Sequence, residues 1–143
     1  MHVATILNAK GRAVETVAAT ATLREVVSRL ATHRIGAIVV LDEANTVAGI
    51  VSERDIVRVL ASHGAVALNW PVADAMTRNV VTCRESETID QLMSRMTTGR
   101  FRHIPVVEDG ALVGIISIGD VVKHRVAEVE MEASAMRDYI SAA

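Results

Sequence analysis

Aromatic side chains are almost missing from this sequence: Trp70, Phe101 and Tyr139 are the whole set among 143 residues. That argues against a single-strand nucleic-acid binder, which needs aromatic stacking platforms. A formal net charge of -2 leaves no global basic field for duplex binding, only local patches. The one cysteine, Cys83, rules out an intramolecular disulfide and a multi-cysteine zinc site. At the end of an expected strand it reads as a small buried apolar residue. No apolar run approaches the ~20 residues that span a bilayer. Met1-His2-Val3-Ala4 lacks the basic-then-apolar order of a signal peptide, so the expectation is a cytoplasmic protein with no membrane and no nucleic-acid partner. His2, His33, His63, His103 and His124 are dispersed, without metal-type spacing. There is no Walker-type phosphate loop and no activated-nucleophile constellation, so neither an enzyme nor a metal site is expected.

What is present is an aliphatic chain, half apolar, that repeats itself. Val14–Glu43 shifted by 66 positions falls on Val80–Asp109: Thr16 meets Thr82, Thr22 meets Thr88, Arg34 meets Arg100 and Ile38 meets Ile104. One extra residue near Ala44 makes the offset 65, and Gly49–Asp55 then meets Gly114–Asp120. Roughly a third of the aligned positions are identical, which marks two copies of one supersecondary unit. The groove between the copies is the expected place of function.

Each copy reads strand, helix, strand, strand, helix. Val14–Val17 and Val80–Cys83 are the first strands. Leu23, Val26, Val27 and Leu30 carry helical spacing, and Ile89, Leu92, Met93 and Met96 repeat it, with Thr22 and Thr88 as caps. Ala37–Leu41 and Ile104–Val107 suit buried strands. A turn at Asp42–Asn45 and a tight Asp109-Gly110 hairpin lead into the returning strands Val47–Val51 and Leu112–Ile116. Gly64–Pro71 connects the halves, Val72–Met76 reads as a short helix, and the first seven residues as its counterpart. A last helix runs from near Gly119 to about Ile140. Its seam of Val122, Val126, Val129, Ala133, Met136 and Ile140 needs an apolar partner, either another chain or its own domain.

The repeated chemistry is Gly-aliphatic-aliphatic-Ser-x-x-Asp: Gly49-Ile50-Val51-Ser52-Glu53-Arg54-Asp55 and Gly114-Ile115-Ile116-Ser117-Ile118-Gly119-Asp120. Ser-x-x-Asp resembles a capping box at a helix start. It also suits a ligand, because a helix N-terminus favours phosphate and an ionised carboxylate accepts from both hydroxyls of a ribose. The two readings do not exclude each other.

In this order, with Met76–Thr82 and Arg102–Val107 in the second copy, the motifs resemble a tandem pair of cystathionine-β-synthase (CBS) domains, a Bateman module. The resemblance covers nearly the whole chain. It implies an α+β (mixed α/β) fold: two β-α-β-β-α repeats at 8–68 and 76–133, packed as a pseudo-two-fold pair, with a helical extension at 134–143. It implies a stand-alone regulatory module, without catalysis, that binds adenosine nucleotides, AMP first among them and ATP or NAD as further candidates. By analogy Asp55 and Asp120 hold ribose hydroxyls, and Ser52 and Ser117 lie near ribose and phosphate. Thr16 and Thr82 meet adenine with backbone groups, and Ile38, Ile104 and Pro105 form an aliphatic cage. Arg102-His103 would contact phosphate, with Arg54 and Arg78 of the same type and Lys10-Gly11-Arg12 near the rim. Gly36-Ala37 stands at the matching place in the first copy, so the two sites are expected to be unequal. Relatives of this kind dimerise through their helices and regulate a partner protein. A ligand-independent scaffold that docks a partner through its helices is the alternative.

Overall fold

The computed structural model describes residues 1–142 and is a mixed α/β protein of five helices and two small sheets. The order is α1 (Val3–Lys10), β1 (Thr16–Ala18), α2 (Leu23–His33), β2 (Ala37–Leu41), β3 (Val47–Ser52) and α3 (Glu53–His63). Two 3-10 turns, Ala65–Asn69 and Val72–Asp74, lead to α4 (Ile89–Gly99), β4 (His103–Glu108), β5 (Ala111–Ser117) and α5 (Ile118–Ala142). The short helix expected at Val72–Met76 is thus a 3-10 turn.

Local chemistry accounts for most of these boundaries. Thr22 Oγ1 accepts from the Glu25 N–H at 3.2 Å to start α2. Thr88 and Gln91 form a reciprocal capping box on α4. Both helices bury the face their spacing marks: Leu23, Val26 and Leu30 on α2, and Ile89, Leu92 and Met96 on α4. Both end on a left-handed arginine, Arg34 (φ 54) and Arg100 (φ 56). The β4–β5 hairpin turns through Asp109 (φ 50) and Gly110 (φ 79), the pair of positive φ angles that a two-residue primed turn requires.

The sheets of the two units differ. In the first, β1 pairs parallel with β2, and β2 antiparallel with β3. In the second, β4 and β5 pair antiparallel, but the strand expected at Val80–Cys83 shrinks to one parallel bridge between Cys83 and Val106. The reason lies upstream. Thr77 exchanges both backbone hydrogen bonds with Ile50 of the first unit, at 2.8 and 3.0 Å, so the chain from 78 to 82 must cross from one unit to the other.

The segments that precede each unit are exchanged. Val3, Ile6 and Leu7 of α1 pack into the second core with Ile104 and Ile116, and the Val3 N–H donates to the Glu87 carbonyl at 2.9 Å. Ala67 and Val72 of the connector pack into the first core with Leu23 and Ile38. Each large aliphatic side chain buried this way contributes about 1.5–3 kcal/mol. The exchange therefore ties the units together through their own cores. On α5 only Val121 is buried; Val122 (48 % exposed) through Ile140 (65 % exposed) leave its apolar stripe uncovered. Among the described residues no helix is long and apolar enough to cross a membrane.

Candidate functional site

The two Ser-x-x-Asp elements sit where a strand turns into a helix, β3 into α3 and β5 into α5. In the first, the Asp55 N–H donates to Ser52 Oγ at 3.3 Å and the Ser52 N–H donates to Asp55 Oδ2 at 2.9 Å. In the second the matching distances are 3.2 and 2.9 Å, between Asp120 and Ser117. Both are genuine capping boxes. The cap uses Oδ2 alone; Asp55 Oδ1 meets only the Thr77 hydroxyl, at 3.5 Å. Capping fixes the carboxylate through Oδ2 and leaves Oδ1 outside the cap, beside Thr77 in the lining of the cleft.

The motif glycines make room for the exchanged segments. A Cβ on Gly49 would stand 2.5 Å from Met76 Sδ and 2.9 Å from the Thr77 carbonyl, and one on Gly114 would stand 2.6 Å from Leu7 Cδ2. No side chain fits at either place without displacing a neighbour, which is the close-approach role of glycine.

Asp55 opens on a cleft of about 710 Å³ whose walls come from both units. Ser52, Asp55 and Ile50 belong to the first unit; Val80, Val81 and Phe101 form an apolar wall from the second. Its basic groups are Arg54 and Arg58 of α3, with Arg100, Arg102 and His103 from the second unit. Burial, reinforced by Lys10 and Arg102, holds the His103 imidazole below its ordinary value against the pull of Glu53 and Asp120. His103 is therefore mainly neutral at pH 7 and acts as a hydrogen-bonding group more than as a cation. A Cβ on Gly36 would lie 3.3 Å from His103 Cε1. The imidazole packs close against Gly36 across the seam, and a side chain there would push it by a few tenths of an ångström.

The Asp120 element differs. Lys10 Nζ, at the end of α1, donates to Asp120 Oδ2 at 2.7 Å and to the Ile115 carbonyl at 2.8 Å. Burial raises the Asp120 carboxyl, but the hydrogen bonds from Lys10 and the Ser117 N–H outweigh it, and the net shift is downward.

The other residues singled out from the sequence lie elsewhere. The Thr16 and Thr82 carbonyls accept from Arg29 and Arg95 of their own units, at 2.9 and 3.0 Å. Ile38 and Ile104 are fully buried in the two cores. Pro105 is buried in β4 opposite Ile115. None of the five lines the Asp55 cleft, whose aliphatic wall is built from Ile50, Val80 and Val81 instead. Arg78 points to the Ala73 carbonyl at 3.1 Å, and Arg12 pairs with Glu85 at 2.6 Å. Two cleft arginines were not singled out in the sequence, Arg58 and Arg100. Arg58 had a signal, its i, i+4 spacing from Arg54. Arg100 had another, its match to Arg34 across the repeat.

The CBS domain model matches twice, at residues 11–62 and 72–127. The chain belongs to the CBS domain family. A CBS-domain containing protein of Agrobacterium tumefaciens is 52% identical in its solved structure, with a TM-score of 0.84 over 87% of this chain and 92% of that one. A CBS domain protein of Pyrobaculum aerophilum, solved in complex with AMP, is 28% identical, with a TM-score of 0.79 over 93% and 99% of the two chains. The CBS domain pair of protein MJ0100, solved with 5′-methylthioadenosine and S-adenosyl-L-methionine, is 26% identical, with a TM-score of 0.80 over 90% and 98%. The mitochondrial CBS domain-containing protein CBSX3 of Arabidopsis thaliana is 35% identical over 123 residues, 83% of this chain; the chain spans 60% of that relative's length. In this CBS pair the two carboxylates have unlike neighbours: Asp55 faces a cleft rich in arginine, and Asp120 is paired with Lys10.

Proposed function

We propose that this CBS pair is a regulatory module, without catalysis of its own, that binds one adenosine nucleotide per chain in the Asp55 cleft. The observation that carries this reading is the position of Asp55: its capped carboxylate opens on a roomy cleft with an apolar wall on one side and arginines on the other. Adenine would lie against Val80 and Val81, the ribose diol would donate to Asp55, and phosphate would meet Arg54 and Arg102. The complexes of related CBS pairs with AMP and with methylthioadenosine and S-adenosyl-L-methionine support an adenosine-type ligand.

Because the cleft walls belong to different units, a ligand there favours one mutual tilt of the two over others, which is the differential contact that a switch needs. The bare stripe of α5 supports a homodimer as the signalling form. Its steps of four and three residues are self-complementary, and a second copy of the same helix would cover them.

Calorimetric titration with adenine nucleotides tests the reading. Asp55→Asn keeps the size of the side chain and an oxygen for the cap while removing the charge. It should weaken binding by about tenfold or more, as the loss of charge-assisted hydrogen bonds does. Asp120→Asn should leave binding as it is. Equal effects of the two changes, or no heat with any adenosine ligand, would favour the ligand-independent scaffold.

A further inference from the structure

Four arginines stand at one edge of the Asp55 cleft, more than a ribose and one phosphate require. Arg54 and Arg58 lie one turn apart on α3, Arg100 ends α4, and Arg102 precedes β4. Among the described residues none of the four forms an ion pair. Arg54 reaches across the seam to the Arg100 carbonyl at 3.3 Å, which sets the two guanidinium-bearing elements side by side. Among the described residues the carboxylates lining the cleft are Glu53 and Asp55, and Asp55 already caps α3. Unpaired like charges around one mouth repel each other, and an anion of several charges relieves that repulsion.

Two further observations give the anion a length. A second, shallower hollow of about 430 Å³ continues from the same edge, and Arg54, Arg100, Phe101 and Arg102 line both spaces. Its own walls add Thr97 and Ile118. The matching positions around Asp120 carry half of this charge: Gly119 stands where Arg54 does and Gly36 where Arg102 does, while Lys123 and Arg34 match Arg58 and Arg100. The Asp55 cleft has four cations where the matching positions of the other copy have two.

We infer that the ligand carries a chain of two or three phosphates, a nucleoside di- or triphosphate and not a monophosphate. Its ribose lies at Asp55, and its tail passes Arg54 and Arg102 toward Arg100 and the second hollow. The inference rests on the nucleotide reading above and adds the class of tail. Guanidinium forks suit phosphate oxygens, and each added phosphate meets a further fork.

Titration of the full chain with adenosine, AMP, ADP and ATP at fixed low ionic strength tests it. Affinity should rise along the series, with ATP about tenfold or more tighter than AMP, and the gap should narrow as salt screens it. Arg100→Gly keeps the left-handed helix end and removes only the side chain. It should bring the ATP-to-AMP affinity ratio toward unity. AMP binding as tightly as ATP, or a ratio that survives Arg100→Gly, overturns the polyphosphate tail and leaves the nucleotide site standing. Failure of all four ligands to bind the unaltered chain overturns both.

Discussion

Lys10 and Asp120, 110 residues apart in sequence, are joined by a 2.7 Å hydrogen-bonded ion pair, while among the described residues the matching carboxylate of the first unit, Asp55, has no cation on it. Leu7 packs on Gly114 as Met76 packs on Gly49, so in the exchanged segments it is the neutral Asn79 that stands in the place of Lys10. A single residue thus separates a carboxylate held by its own chain from one that faces an open cleft.

Lys10→Asn copies the other half of the repeat and should free Asp120. The unaltered chain should bind one nucleotide, and the variant should gain a second, weaker site, because the Lys10 ammonium otherwise neutralises the Asp120 carboxylate and weakens it as an acceptor for a ribose. Native mass spectrometry at increasing nucleotide concentration counts the ligands directly. A variant that still takes only one would show that Lys10 is not what closes the Asp120 end.

Gly49→Ala and Gly119→Ala should act in opposite directions. A methyl group at 49 meets Met76 Sδ at 2.5 Å and the Thr77 backbone at 2.9 Å, so overpacking should cost about 1–3 kcal/mol. At 119, in the first turn of α5, the nearest atom is Ser117 Oγ at 3.6 Å. There alanine should stabilise by up to about 1 kcal/mol through helix propensity. Urea denaturation of both variants decides the matter; equal midpoints would mean that Met76 and Thr77 yield freely.

His103 makes stability depend on pH. Its folded-state value lies below the ordinary 6.5, chiefly through burial. Between the two values the unfolded chain binds a proton that the folded chain refuses, so stability falls as pH drops below about 6.5. Melting curves from pH 7.5 to 5 should fall more steeply for the unaltered protein than for His103→Gln, a difference that cancels the contributions of the other histidines. Parallel curves would place His103 in a better solvated setting than the seam.

Cys83 should be inert in the folded protein. Burial, with some help from Glu87 and against Arg95, pushes its thiol up to about 12. Almost no thiolate exists at neutral pH, and the residue is 2 % exposed. A thiol reagent should react only as the second unit opens, at a rate that denaturant increases. Rapid stoichiometric labelling in buffer would contradict the packing around the Cys83–Val106 bridge.

Patterns confined to one helix turn or one hairpin were legible in the sequence. Thr22 and Thr88 cap the helices that follow them, Asp109-Gly110 makes the hairpin, and the apolar spacing of α2 and α4 marks the faces they bury. The first strand of the second copy was not legible. Val80–Cys83 has the composition of a strand, but the chain ahead of it is held on the first unit through Thr77 and Ile50. Ile38 and Ile104 show the same limit from the other side. A buried aliphatic and a cleft-lining aliphatic have the same side chain, and only the docking of the units separates the cores from the wall formed by Ile50, Val80 and Val81.

The amino-acid order by itself determined that there are two copies of one unit, that each ends in a Ser-x-x-Asp helix start, and that the chain is of the CBS type, because those properties reside in spacing and in hydrogen bonds three residues long. The tertiary structure alone decided that Asp55 shares a cleft with Arg102 and His103 of the other copy, and that Lys10 reaches Asp120. Such pairings span tens of residues and depend on which segment each core accepts, and the aliphatic side chains of the two cores are too alike for sequence to distinguish them.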